Sequence, residues 1–173
     1  MATATKPNNT RERSAIKPGL GLSDEARAGV YKIHVRALAD AFALRLKLRK
    51  YHWNVTGPQF LTLHEIFEEQ YNALTLTIDE IAERIRTYGY YAPGTLEEFK
   101  ELTRISENPD NYPDAMQMVK QLVADHESTV RNLREDIKRA GEEYEDVAAE
   151  DFFTGILQDH QEMAWMLRSF LES

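Results

Sequence analysis

Two helical patterns meet in YHWNVTGPQFLTLHEIFEEQY, residues 51–71, and the turn between them sets how the chain folds. The Gly-Pro pair at 57–58 predicts a turn between them, since both residues break regular helices. His52 stands before the turn and His64 twelve positions later, and Glu68 follows one helical turn after His64. We expect the turn to fold the end of the first helix back beside the start of the second, which brings the two histidines together.

The bulk composition describes one helical globular domain. The 173 residues are 42% hydrophobic and 29% charged, and Gly (8) and Pro (6) are few, which favours helices. The absence of cysteine excludes disulfides, thiol catalysis and Cys-based zinc or iron–sulfur sites. No apolar run approaches the roughly 20 residues that span a bilayer, and no signal-peptide pattern appears, so we expect a cytoplasmic protein.

Four long helical patterns and one short pattern predict an all-α fold, a four-helix bundle with a short extra helix between its second and third helices. Residues 107–113 predict a loop, and Thr95 with Glu98 forms a capping-box pattern that starts the short helix. The four long helices are expected at Ser23 to about His52, about Gln59 to Thr87, near Pro113 to Gly141, and Tyr144 or Asp146 to the C-terminus.

The second helix carries two different faces. At about 100° per residue, one arc roughly 80° wide collects its large apolar residues and predicts the core stripe. The opposite face, roughly 140° away, carries His64, Glu68, Asp79 and Glu83. These side chains therefore point away from the bundle core. The stripe consists of Phe60, Leu63, Phe67, Tyr71, Leu74, Ile78, Ile81 and Ile85.

Imidazole and carboxylate groups are common metal ligands, so these four side chains are candidates for a metal site. One chain cannot bring all four to one metal ion. His64 and Asp79 are 15 residues apart, which is about 22 Å on a straight helix, whereas metal–ligand bonds are about 2 Å long. Two second helices packed antiparallel about a two-fold axis would place His64 and Glu68 of one chain beside Asp79 and Glu83 of its partner. The axis would pass near residues 73–74.

The type of ligand limits the metal but leaves alternatives open. Mixed imidazole and carboxylate ligands suit iron, manganese or zinc and are too rich in nitrogen for calcium or magnesium. The alternative is a plain helical bundle whose acidic face is only solvated. His34, His126 and His160 match no ligand spacing, and we interpret them as structural or surface residues, with His160, Asp159 and Glu162 as a surface cluster.

Residues 1–22 predict a disordered, mildly basic tail on an acidic protein of net charge −8. The tail is either solvated without a role or an arm for DNA phosphates. An alternative for the whole protein is therefore a nucleoid-binding structural protein that acts mainly through this tail, although DNA binding can also coexist with chemistry at a metal site. Many copies on one assembly would raise its avidity. The basic residues of the tail are Lys6, Arg11, Arg13 and Lys17.

The sequence resembles the Dps family, the dodecameric mini-ferritins of starved bacterial cells. The resemblance rests on KYHWNVTGPQFLTLHEIFEEQY at 50–71 and TIDEIAERI at 77–85, which look like that family's ferroxidase motif, and it extends over about residues 24–172. It implies a ferritin-like four-helix bundle for residues 23–173. The implied iron ligands are His52, His64, Glu68, Asp79 and Glu83, and the third of these is commonly Asp in the family.

The resemblance also implies an activity. The family forms twelve-subunit hollow shells that oxidise Fe(II) at sites shared across two-fold interfaces, preferentially with hydrogen peroxide, store the ferric product and protect DNA. Trp53 matches the family's tryptophan near the site, where it would be oxidised in place of a released radical; packing at an interface is the alternative. Acidic residues at the start of the fourth helix would line iron pores, and the candidates are Asp146, Glu150 and Asp151.

Overall fold

The computed structural model describes residues 17–172, and this part of the chain is helical without any β-strand. Four long helices form the bundle, and a short helix crosses in the connection between the second and the third. α1 packs chiefly against α2, and α4 against α5. Within the described residues, no helix is both long enough and apolar enough to cross a bilayer. The helices are α1 (Asp24–Asn54), α2 (Phe60–Thr87), α3 (Leu96–Leu102), α4 (Ala115–Lys138) and α5 (Val147–Arg168).

The helix starts follow from capping side chains. Ser23 accepts a hydrogen bond from the backbone N–H of Ala26 at 3.0 Å, as the sequence predicted for α1. The capping box of Thr95 and Glu98 is also confirmed, with both of its reciprocal bonds present. Pro113 was expected in the first turn of α4, but it precedes the helix, which is capped by Asp114 and begins at Ala115.

The end of α4 differs from the prediction of a simple stop at Gly141. The helix widens into a π-helical turn at 139–143 before the chain enters α5. Tyr144 then packs across α1 at Gly29, where an added Cβ would lie 2.2 Å from the Tyr144 Cζ atom. The absence of a side chain at Gly29 therefore admits the ring.

The core divides into two clusters along the bundle. The first joins the start of α1 to the end of α2 and the start of α5, with Val30, Leu38 and Phe153 at its centre. The second joins the end of α1 to the start of α2 and α4, with Leu48 and Phe67 fully buried. Burial of each such side chain contributes about 1.5–3 kcal/mol.

The predicted apolar stripe of α2 is confirmed for most of its length. Phe60 is an exception, since it is 45% exposed at the first turn of the helix, where it meets the ring of His64 instead of the core. Tyr71 and Ile78 lie at the edges of the stripe and are half-buried. The buried members are Leu63, Phe67, Leu74, Ile81 and Ile85.

A buried ionic cluster fastens the connection after α3 to the bundle. The Arg104 guanidinium lies 2.7 Å from the Asp40 carboxylate of α1 and 3.0 Å from the Asp136 carboxylate of α4. The backbone N–H of Arg104 and the hydroxyl of Thr103 also donate to Asp40. One arginine therefore ties three parts of the fold together.

Candidate metal centre

His52 and His64 form a reciprocal pair where α1 and α2 meet. The Nδ1 atom of His52 lies 2.8 Å from the backbone oxygen of His64, and the Nδ1 atom of His64 lies 2.9 Å from the backbone oxygen of His52. The ring centroids are 3.7 Å apart and the planes differ by 20°. Because a carbonyl only accepts, each Nδ1 carries the proton, and in the neutral ring each Nε2 keeps a lone pair for a metal ion.

The turn between the two helices produces this pairing. The backbone N–H of Val55 donates to Tyr51 at the end of α1, and the N–H of Phe60 donates to Gly57 at the start of α2. Gly57 has a φ of 108°, a left-handed conformation that favours glycine. The expectation that this turn joins the two histidines is confirmed by the stacked rings.

Glu68 follows His64 by one turn of α2 and is exposed. The Tyr71 hydroxyl donates to its Oε1 atom at 3.0 Å. The Tyr71 ring also meets the ring of His52 nearly edge to face, at 5.3 Å and 81°. Desolvation, followed by the hydrogen bond to the Glu68 carboxylate, raises the pKa of Tyr71 above its usual 10. The sequence placed Tyr71 in the core stripe only; its spacing of three residues from Glu68 was the available signal.

Cationic side chains from α1 border the same surface. The Arg49 guanidinium lies 5.2 Å from the centre of the Trp53 ring and 5.7 Å from that of Tyr71. Arg45 donates to the Thr75 hydroxyl at 2.7 Å. Trp53 itself remains 66% exposed, so it is not a core residue of this subunit.

Asp79 and Glu83 lie further along the exposed face of α2, away from the bundle core. Leu76, 69% exposed, lies on the same side of the helix, between Glu68 and the distal acids. Within residues 17–172, no three His, Asp or Glu side chains come close enough to hold a metal ion. The described chain therefore presents His52, His64 and Glu68 where α1 and α2 meet, and Asp79 and Glu83 further along α2, but it does not assemble a metal site from them.

The acidic pore candidates have different surroundings. The surroundings of Asp146 do not fit the predicted role in a pore, because the residue is only 5% exposed. Its Oδ1 accepts hydrogen bonds from the backbone N–H groups of Ala148 and Ala149, and its Oδ2 accepts one from the Tyr88 hydroxyl at 2.6 Å. This carboxylate caps α5, and both of its oxygens accept hydrogen bonds within the subunit. Glu150 and Asp151 are exposed in the first turns of α5.

The surface cluster predicted around His160 is wrong. His160 is 2% exposed and its Nδ1 atom lies 2.9 Å from the Nδ1 atom of His126, which is fully buried. His34 is also buried, where it donates to the Val30 carbonyl. Burial lowers the pKa of His34 and of His160 to about 4, and it lowers the pKa of His126 as well. All three are neutral structural residues.

The basic tail can be followed only in part. Lys6, Arg11 and Arg13 lie outside the described residues. Lys17 is exposed and its ammonium lies 2.9 Å from the Asp24 carboxylate at the start of α1. An ion pair between two exposed side chains is weak, so it leaves Lys17 available for another anion.

Comparison with known proteins agrees with this architecture. The Ferritin-like domain family matches residues 35–173. A low-temperature-induced protein of Nostoc is 48% identical, over 88% of this chain and 86% of its own length. DNA protection during starvation protein 2 of Bacillus anthracis is 37% identical, over 82% of this chain and 96% of its own length.

A solved structure shares the fold. The Dps protein of Vibrio cholerae O1, described as a member of a broad superfamily of ferritin-like diiron-carboxylate proteins, superposes with a TM-score of 0.83 at 25% identity. The match covers 92% of this chain and 99% of that one. The all-helical ferritin-like bundle predicted from the sequence is therefore confirmed, and the chain belongs to the Dps family.

Proposed function

We propose that this protein is an iron-oxidising and iron-storing mini-ferritin, which consumes Fe(II) and hydrogen peroxide at sites shared between two subunits. The reciprocal His52–His64 pair carries the proposal. Hydrogen bonds to backbone carbonyls fix both imidazoles in the tautomer that a metal ligand needs, and Glu68 follows His64 by one turn of α2. The diiron-carboxylate description of the Vibrio cholerae protein supports iron as the metal.

The second half of each site comes from a neighbouring molecule. Asp79 and Glu83 are exposed on the face of α2 that also carries Glu68, and about 22 Å of helix separates His64 from Asp79. An antiparallel contact between two such faces joins the halves twice, once at each end of the interface. The contact also buries Leu76, which is 69% exposed in the single subunit. We propose that six such dimers form the twelve-subunit shell.

The residues then have distinct roles toward their substrate. The histidine Nε2 atoms bind Fe(II), for which imidazole is a suitable ligand. The carboxylates of Glu68, Asp79 and Glu83 bind the harder Fe(III) more strongly, which lowers the reduction potential and favours electron release. Two Fe(II) ions each give one electron to hydrogen peroxide, which takes up two protons and leaves as two water molecules. Paired transfer avoids release of hydroxyl radical.

Iron entry and radical control complete the proposal. Glu150 and Asp151 are exposed acids in the first turns of α5, and rings of such acids in the assembly would draw cations inward. Trp53 lies next to His52 and is exposed, with a guanidinium over its ring. This placement supports oxidation of its indole in place of a released radical.

The test is an anaerobic Fe(II) titration followed by a peroxide pulse. We expect His52→Ala and Asp79→Ala each to reduce the rate of iron oxidation by at least about a hundredfold while the assembly mass is retained, since each removes a ligand of one shared centre. Glu97→Ala, an exposed carboxylate on α3, is the control and should leave the rate unchanged. Wild-type rates in both site variants would refute the proposal.

A second function, DNA binding through the basic tail, is favoured by the name of the Bacillus anthracis relative. It would place the protein beside the chromosome in the bacterial cytoplasm. Deletion of residues 1–20, which removes Lys6, Arg11, Arg13 and Lys17, should abolish retardation of DNA on a gel and leave iron oxidation intact. Binding that survives the deletion, or that is insensitive to salt, would exclude the tail as the DNA contact.

A further inference from the structure

Tyr71 contacts one candidate ligand of each kind, the carboxylate of Glu68 and the imidazole of His52. Its hydroxyl donates to Glu68 Oε1 at 3.0 Å, and its ring stands nearly perpendicular to the His52 ring at 5.3 Å between centroids. The Arg49 guanidinium lies 5.7 Å from the centre of the same ring. The ring is therefore held between two groups of α1 while its hydroxyl reaches along α2.

We propose that Tyr71 is a positioning residue that holds the Glu68 carboxylate toward a metal ion on the His52–His64 pair. The inference rests on the proposed function, because it assumes that a metal binds there. The hydrogen bond occupies Oε1 and leaves Oε2 for the metal, so the carboxylate binds while it remains hydrogen-bonded.

The side chain of Glu68 needs such a partner. It is exposed and has three rotatable bonds, so without a partner it samples many rotamers and must be ordered when a metal binds. The histidine pair is already fixed by two backbone hydrogen bonds. Tyr71 extends this preorganisation to the carboxylate, and no other hydrogen bond to Glu68 is seen among the described residues.

The length of the Glu68 side chain offers a specific test of the positioning role of Tyr71. Glu68 and Tyr71 are three positions apart on one helical face, a spacing at which side chains meet. Aspartate at position 68 is one methylene shorter, which draws the carboxylate back from the tyrosine hydroxyl. The effect of removing the hydroxyl should therefore depend on which acid occupies this position.

The experiment measures binding of metal ions in the absence of peroxide, by calorimetry with Zn²⁺ and with Fe(II) under anaerobic conditions, on the full assembly. Four proteins are compared: wild type, Tyr71→Phe, Glu68→Asp and the double variant. Tyr91→Phe, which removes an exposed hydroxyl elsewhere, is the control. Tyr71→Phe should weaken binding roughly fivefold in the wild-type background, the size expected for the loss of one hydrogen bond of ordinary net strength. In the Glu68→Asp background, the same change should have less than about a twofold effect.

The outcomes separate this inference from the proposed function. If wild type binds metal and the Tyr71→Phe protein binds it equally well, the positioning role is overturned. The role is also overturned if Tyr71→Phe weakens binding by the same factor with glutamate and with aspartate at position 68. If wild type binds neither metal, the proposed function fails and the inference fails with it. The Nδ1–H proton resonances of His52 and His64 should be unchanged in Tyr71→Phe; their loss would assign the effect to a disturbed histidine pair and would also overturn the role.

Discussion

Acid should destabilise this fold through His34, which is buried in neutral form. Its Nδ1 donates to the Val30 carbonyl at 2.8 Å, and its ring packs against Tyr88, Phe152 and Phe153. Desolvation is the main reason that its pKa falls from 6.5 to about 4, with a smaller contribution from the charge of Arg84. Between these two pH values the unfolded chain binds a proton that the folded chain does not, so stability is lost as pH falls.

The size of this effect follows from the two pKa values. A pKa of about 4 in the fold against 6.5 in the unfolded chain corresponds to about 3 kcal/mol once the pH is below 4. Between pH 7 and pH 5, linkage gives a loss of about 2 kcal/mol from His34 alone. Above pH 6.5 the contribution is fully retained.

The assay is urea unfolding followed by circular dichroism at one fixed protein concentration, at pH 7 and pH 5. His34→Leu removes the titrating group, so its loss of stability between the two pH values should be about 2 kcal/mol smaller than that of wild type. Phe152→Leu changes the same packing without removing a titrating group and should keep the wild-type pH dependence. An identical pH dependence in wild type and His34→Leu would refute the reasoning.

Two further predictions concern buried carboxylates. Arg104→Met should lower the free energy of unfolding at pH 7 by about 3 kcal/mol, because the nearly buried carboxylates of Asp40 and Asp136 lose the guanidinium that pairs with them. An unchanged urea midpoint would contradict this prediction. Asp146→Ala should lower the free energy of unfolding by about 2–3 kcal/mol, because it removes the cap of α5 and leaves the Tyr88 hydroxyl without its acceptor. Tyr88→Phe keeps the cap and should lower the same free energy by only about 1 kcal/mol. Equal losses in the last two variants would show that the cap contributes nothing.

Local patterns in the sequence were sufficient for much of the fold. Ser23 and the Thr95–Glu98 box mark helix starts because capping depends on residues within one turn, and the apolar period of α2 identifies its buried face. The π-helical turn at 139–143 was not predicted. It adjoins a long-range contact, in which Tyr144 packs on Gly29 of α1, and no local pattern in the sequence predicts that contact.

The burial of His160 could have been predicted from its position in the sequence. In α5, the buried residues Phe153, Leu157, Ala164 and Leu167 follow a helical period that passes through His160. Position on the stripe was a better guide to burial than the polar character of the side chain. The same holds for Asp146, whose place just before a helix start predicts a cap as readily as a pore.

The histidine pair could be predicted only in outline. The Gly-Pro turn indicated that His52 and His64 would meet, and they do. Their reciprocal hydrogen bonds to backbone carbonyls depend on the exact path of the turn, which includes the φ of 108° at Gly57. The contact of Tyr71 with Glu68 could not be predicted either, because a side chain at the edge of the core stripe can turn toward the core or toward solvent.

Complementation between two inactive variants tests the shared site most directly. One variant carries His52→Ala and His64→Ala, the other carries Asp79→Ala and Glu83→Ala, and the two are co-expressed with different tags and purified as mixed assemblies. Random pairing makes about half of the two-fold dimers mixed, and each mixed dimer regains one of its two sites, so about a quarter of wild-type peroxide-dependent iron oxidation should return. If each site belonged to a single chain, every subunit would carry a lesion and the mixed assembly would show no activity. A mixed assembly as inactive as its parents would therefore contradict the account.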